Sequence, residues 1–83
     1  MPNHPRIEMN PAIMLGKPVI RGTRIPVVLL LRKLSEGATE GELLDAYPRL
    51  TVDDLRAALA YAADTLAHEE TVNHDSKAPA PKL

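Results

Sequence analysis

Cysteine, phenylalanine and tryptophan are absent from this 83-residue chain, and tyrosine occurs only twice. Without cysteine there is no disulfide to brace a small fold, no thiolate for a structural zinc site and no thiol nucleophile. Without large aromatics the core has to be aliphatic. Long apolar runs are also missing. The longest, Ile25 to Leu31, is far shorter than the roughly 20 residues that cross a bilayer. No cleavable leader pattern is present, so the expected location is the cytoplasm, with no membrane partner. The net charge is −1, which excludes a uniformly basic nucleic-acid coat.

That small total conceals a split. Residues 1 to 37 carry six cations against two anions, whereas residues 38 to 70 carry two cations against eight anions. A split of this kind suits complementary surfaces within a fold or between subunits. It also suits one face for nucleic acid and another for a basic partner.

Three regions are expected. Residues 1–5 and 71–83 are polar and proline-containing and read as flexible ends. Residues 6–70 form a single domain near the size at which a lone core is marginal and oligomerisation is a common remedy. It begins with an extended arm over 6–25. In the arm Ile7 and Met9 alternate with charged neighbours, Asn10 and Pro11 suit a turn, and Gly22 allows a second turn between short extended pieces. The arm is expected to form a short β-ribbon, either with its own residues around Gly22 or with residues 6 to 9.

Three helices follow, at about 26–36, 39–47 and 51–68. Pro26 suits a first helical position, and Val27, Leu30, Leu31 and Leu34 recur at helical spacing up to Gly37, a good residue just past a helix end. The breadth of that apolar face predicts that the first helix is the central one. Thr39 and Glu42 have the spacing of a capping box, and Pro48 ends the second helix. Thr51 caps the third, with Asp53 and Asp54 at its positive dipole end and Val52, Leu55, Leu59, Ala62 and Leu66 as its apolar stripe. Ala57, Ala58, Ala60, Tyr61 and Ala63 cover much of the rest of that helix. A helix apolar nearly all round needs cover on more than one side, so these five residues are candidates for a homodimer interface.

Catalysis has little support, and no enzyme activity, cofactor or metal site is expected. His4, His68 and His74 fall in or near the ends with no orienting partner. The sequence "HEE" at 68 to 70 lacks the spacing of a zinc-protease helix. Asp53 and Asp54 are adjacent and are explained by capping. The second and third helices have helix-turn-helix spacing, yet three of the four exposed polar positions on the third are acidic. Only Arg56 offers a base-reading fork. The basic residues lie earlier, at Lys17, Arg21, Arg24, Arg32 and Lys33. With the Thr23 hydroxyl, these and Arg56 are the candidate nucleic-acid contacts. "GKPVIRGTRIPV", residues 16 to 27, does not match a P-loop, and two roles remain open for it. It is a structural clasp that pairs with the acidic helices, or an arm that faces phosphate.

The combination of "GKPVIRGTRIPV", "YPRLT" and "RAALAYA" resembles the DUF433 family, from about Ile7 to Asp64. The pattern falls on Gly16, Lys17, Pro18, Arg21, Gly22, Thr23, Arg24 and Pro26, then on Tyr47, Pro48 and Leu50, then on Arg56 to Leu59, Tyr61 and Ala62. Leu15 stands where the family's usual extra glycine precedes "GKP". The resemblance implies a mainly α, homeodomain-like, helix-turn-helix-like three-helix bundle with an extended N-terminal portion. It further implies an antitoxin-like partner of a PIN-like nuclease. The expected function is therefore a dimeric regulator that binds double-stranded operator DNA and captures a toxin. The alternative is a protein-interaction module without nucleic-acid binding.

Overall fold

The computed structural model describes residues 4–72; residues 1–3 and 73–83 of the expected flexible ends, with His74, lie outside the described residues. The chain is mainly helical, with a short antiparallel ribbon before the helices. β1 (Ile7–Glu8) pairs with β2 (Val19–Ile20), with Ile7 opposite Ile20 and Glu8 opposite Val19. A further bridge joins Val19 to Pro26 on the other side of β2. Both ribbon pairings expected of the arm therefore occur, and β2 lies between them. Pro26 fits because the bridge takes its donors from Ile20 and Val27, which bond to the Ile25 and Pro18 carbonyls. Its missing N–H leaves no bond unmade.

α1 (Val27–Ser35) starts one residue later than expected, with Pro26 as an extended N-cap rather than the first helical residue. It ends in a complete Schellman motif. Gly37 adopts φ +101°, its N–H donates to the Leu34 carbonyl, and the Ala38 N–H donates to that of Lys33. α2 (Glu40–Ala46) carries the expected capping box: Thr39 N–H donates to Glu42 Oε1 at 2.9 Å and Glu42 N–H to Thr39 Oγ1 at 3.1 Å. α3 (Val52–Val72) runs four residues past the predicted end, and its 21 residues span about 31 Å at 1.5 Å each.

α3, not α1, is the central helix, because α1, α2 and β1 all pack against it. Ile7, Ile20, Val27, Leu30, Leu43, Leu50, Leu55 and Ala58 form the aliphatic core. The face that α3 buries differs from the expected stripe. Leu55 and Ala58 are inside, while Val52, Leu59 and Leu66 are exposed. The rotation follows from Asp54, which is only 7% exposed. Its carboxylate accepts the Thr51 N–H at 3.0 Å while its own N–H donates to Thr51 Oγ1 at 3.1 Å, a second capping box. The other oxygen accepts Arg6 Nη1 at 3.1 Å, 48 residues earlier in the chain. Turning Asp54 inward to meet the arm turns Leu55 and Ala58 inward and Leu59 outward.

Before β2 the chain makes a tight left-handed turn. Met14 and Leu15 adopt φ of 51° and 57°, a conformation that costs a residue with a Cβ about 1–2 kcal/mol. Leu15 is 91% exposed, so no burial offsets that strain.

Two measurements check these assignments. Asp54→Ala should lower unfolding stability in urea by about 2–3 kcal/mol, against about 1 kcal/mol for Thr39→Ala, because Asp54 holds a charged hydrogen bond as well as a cap. Equal losses would show that the bond to Arg6 contributes nothing. Leu15→Gly should raise stability by about 0.5–1 kcal/mol, the relieved strain less the added freedom of the unfolded chain; an unchanged or lower midpoint would contradict the strained turn.

Candidate nucleic-acid interface

The two turns that the sequence marks most strongly lie together. Gly22, Thr23 and Arg24, after β2, and Tyr47, Pro48 and Arg49, between α2 and α3, line one cleft of about 590 Å³. Glu8 of β1, Ile13, Ile25 and Ala46 complete its walls. The hairpin of residues 18–27 carries the first turn. It is held by the ladder to β1, by the Val19–Pro26 bridge and by Thr23, whose hydroxyl donates to the Ile20 carbonyl at 2.7 Å and accepts the Ile25 N–H at 3.0 Å. Gly22 supplies the φ of +81° that closes this turn. The second turn links α2 and α3 in a helix-turn-helix-like pair. Leu50 is buried in the core and its N–H donates to the Tyr47 carbonyl, which leaves Arg49 on the outside.

The candidate contacts separate into groups. Arg24 enters the cleft and, like Arg49, forms no hydrogen bond or ion pair among the described residues. Arg49 was not singled out from the sequence. A lone arginine in a tight connection carries no local signal of the turn it faces. Arg21 serves as a clasp: its Nε donates to the Pro5 carbonyl and its N–H to that of Arg6, on the edge of β1. Thr23 Oγ1 is occupied within its own turn, so it is a structural residue rather than a free phosphate contact. Arg32 and Lys33 are exposed near the C-terminus of α1, where cations complement the helix dipole. Lys17 borders a different surface, the groove between α1 and α3. Arg56 lies beside Arg6 and Asp53 in a separate depression at the start of α3.

Two carboxylates at the start of α3, Asp53 and Asp54, do have an arginine partner, and it is Arg6. It reaches Asp54 at 3.1 Å and the more exposed Asp53 at 3.6 Å. His4, expected to be flexible, is instead tucked against α3. Its ring meets Tyr61 edge-on, with centroids 5.4 Å apart. Its Nε2 lies 2.9 Å from Asp64 Oδ2 but makes no aligned hydrogen bond, so the contact is one of proximity. Tyr61 also directs its hydroxyl at Met9 Sδ, 3.8 Å away.

These contacts divide the five candidate dimer-interface residues. Ala58 is 1% exposed and belongs to the core of its own chain, and Ala57 and Tyr61 pack against that core. The second cover required by the alanine-rich side of α3 comes in part from the chain's own arm. Ala60 and Ala63 remain on the surface, with Leu59 and Leu66 nearby along the helix. A second groove of about 450 Å³, almost wholly apolar, runs between α1 and α3 past Val28, Leu31, Ala62 and Leu66. Among the described residues no cluster of histidine and carboxylate side chains has the arrangement of a metal site. No described helix is long and apolar enough to cross a membrane.

Fold and cleft together define a small helix-turn-helix-like bundle clasped by an N-terminal β-arm. The chain belongs to the DUF433 family, described as a protein of unknown function, whose pattern matches residues 7–62. A crystal structure of a DUF433 member from Anabaena variabilis superposes with a TM-score of 0.69 at 37% identity, covering 84% of this chain and 66% of that one. The uncharacterised protein y4eO of Sinorhizobium fredii is 36% identical over 56 residues. That match spans 68% of this chain but only 25% of the relative.

If Arg24 and Arg49 are unpartnered, the double substitution to alanine should shift stability by no more than about 0.5 kcal/mol in a denaturant melt. Arg21→Ala, which unties the clasp to Pro5, should cost about 1 kcal/mol; the opposite ranking would overturn these assignments.

Proposed function

We propose that this chain is an antitoxin-like regulator that dimerises, binds operator DNA and captures a nuclease of the PIN-like class. The observation that carries the DNA half is the charge arrangement around the helix-turn-helix. Acidic residues at the start of a recognition helix oppose phosphate. Here that pair is engaged by Arg6, with Asp54 buried and Asp53 partly compensated. Arg24 and Arg49 stand uncommitted on the cleft beside the link between α2 and α3. Phosphate contacts of this kind position a helix-turn-helix on a duplex and supply much of its affinity.

The other two parts rest on separate surfaces. Exposed Val28, Leu59 and Leu66 offer a second copy apolar surface on α1 and α3. The exposed carboxylates of α2, Glu40, Glu42 and Asp45, suit a basic partner such as a nuclease surface. The family resemblance is what supports a toxin as that partner. Because the chain spans about a quarter of the curated relative, the reading concerns this unit and not the activity of any longer protein. The apolar α1–α3 groove favours a second reading, a protein-interaction module without nucleic-acid binding.

Salt-titrated retention of the full chain on the duplex just upstream of its own coding sequence separates the two readings. Binding at low salt that weakens steeply with added salt is expected. Co-purification of the neighbouring gene's product as a small nuclease, and a dimeric mass by light scattering, are expected with it. No retention at low salt would remove the DNA role, and a concentration-independent monomer would remove the dimer.

A further inference from the structure

Within the DNA-binding reading, on which this inference rests, we propose that the cleft between the Gly22–Arg24 and Tyr47–Arg49 turns is a binding site for a single phosphodiester. The donors are of the right type. Two guanidiniums line the cleft without internal partners, and each presents a planar fork of N–H groups that matches phosphate oxygens. Gly22 and Arg24 also carry main-chain N–H groups that make no hydrogen bond among the described residues. The turn that holds them is rigid, because Thr23 bonds back across it in both directions.

The acceptor in the lining narrows the ligand. Glu8 is half-buried on β1 and is in salt-bridge contact with neither arginine. Two cations against one anion leave the lining with a net charge of +1. A phosphodiester carries one negative charge and fits that balance. A phosphate monoester near neutral pH carries close to two and would be repelled by the Glu8 carboxylate. The remaining walls include Tyr47, Ile13, Ile25, Ala46 and Pro48. They present apolar surface to a sugar, and the Tyr47 hydroxyl has no partner among the described residues. A backbone phosphate flanked by sugars meets all of these features, whereas free phosphate meets only the cations.

The site also differs from the usual reading head. Its arginines come from the arm and from the link before α3, so it grips backbone and sets register while leaving base contacts to residues such as Arg56. The phosphodiester has two possible sources, a DNA strand in a duplex or a small free diester, and the assay treats them separately.

The full chain is titrated with a fluorescein-labelled duplex at several salt concentrations. In parallel, 15N-labelled chain is titrated with the dinucleotide thymidylyl-thymidine and with inorganic phosphate at about pH 8, where inorganic phosphate is mainly the dianion. The dinucleotide should shift the amide signals of Gly22 and Arg24, and inorganic phosphate should not. In Arg24→Ala/Arg49→Ala the dinucleotide shifts should vanish. Duplex affinity should fall about tenfold at low salt, with the salt slope reduced by about 1, the signature of one lost phosphate contact. Glu8→Gln should strengthen duplex binding and admit inorganic phosphate. A duplex bound equally well by wild type and the double variant would overturn the cleft and leave the DNA reading intact. Dinucleotide shifts without any duplex binding would support the cleft as a diester site and remove the DNA reading. Absence of both would reject the two together, and a preference for inorganic phosphate in the wild type would reject the charge-matching argument.

Discussion

The Asp54 carboxylate is the point at which the two halves of this molecule are joined. One oxygen closes the first turn of α3 through Thr51 and the other accepts the Arg6 guanidinium from the edge of β1. A buried carboxylate is expensive unless it is both paired and hydrogen-bonded, and here each oxygen has a partner. The rest of the architecture follows from that constraint. α3 is rotated so that Asp54 faces the arm, which places Leu55 and Ala58 in the core. The arm is thereby held against α3, with His4 and Met9 beside Tyr61, and β1 can pair with β2.

That arrangement also builds the cleft. With β1 fixed on α3, the hairpin after it presents the Gly22–Arg24 turn to the link between α2 and α3. The two turns come from segments that are distant in sequence but anchored in the same core, through Ile20 on one side and Leu50 on the other. The same clasp compensates the acids at the start of α3. One arginine, Arg6, therefore both orders the arm and softens the field that a nucleic acid would meet. The "GKPVIRGTRIPV" segment divides accordingly. Arg21 and Thr23 are structural, and Arg24 remains free to face a ligand.

Much of the helical framework was legible because its signals are local. The Thr39–Glu42 box, Gly37 past α1 and the Val27–Leu34 spacing each concern residues within a few positions of one another. The Thr51–Asp54 box had the same form of signal, yet two adjacent aspartates are equally explained by the helix dipole. What decides between them is Arg6, 48 residues away. The central role of α3 and the outward turn of Leu59 and Leu66 depend on that long-range contact and so could not be read from periodicity. The cleft was half visible: Arg24 sits in a charged, glycine-containing turn, whereas Arg49 becomes significant only when the two turns meet. The alanine-rich face was a sound signal with two possible covers, and the arm supplies part of what a second subunit was expected to provide.

A map of amide chemical-shift changes on addition of duplex DNA tests most directly the proposal that the two turns face nucleic acid. The largest changes are predicted at Gly22 to Arg24 and Tyr47 to Arg49, extending into the first turn of α3. Changes concentrated along the α1–α3 groove at Val28, Leu31 and Leu66, or no changes at low salt, would contradict it.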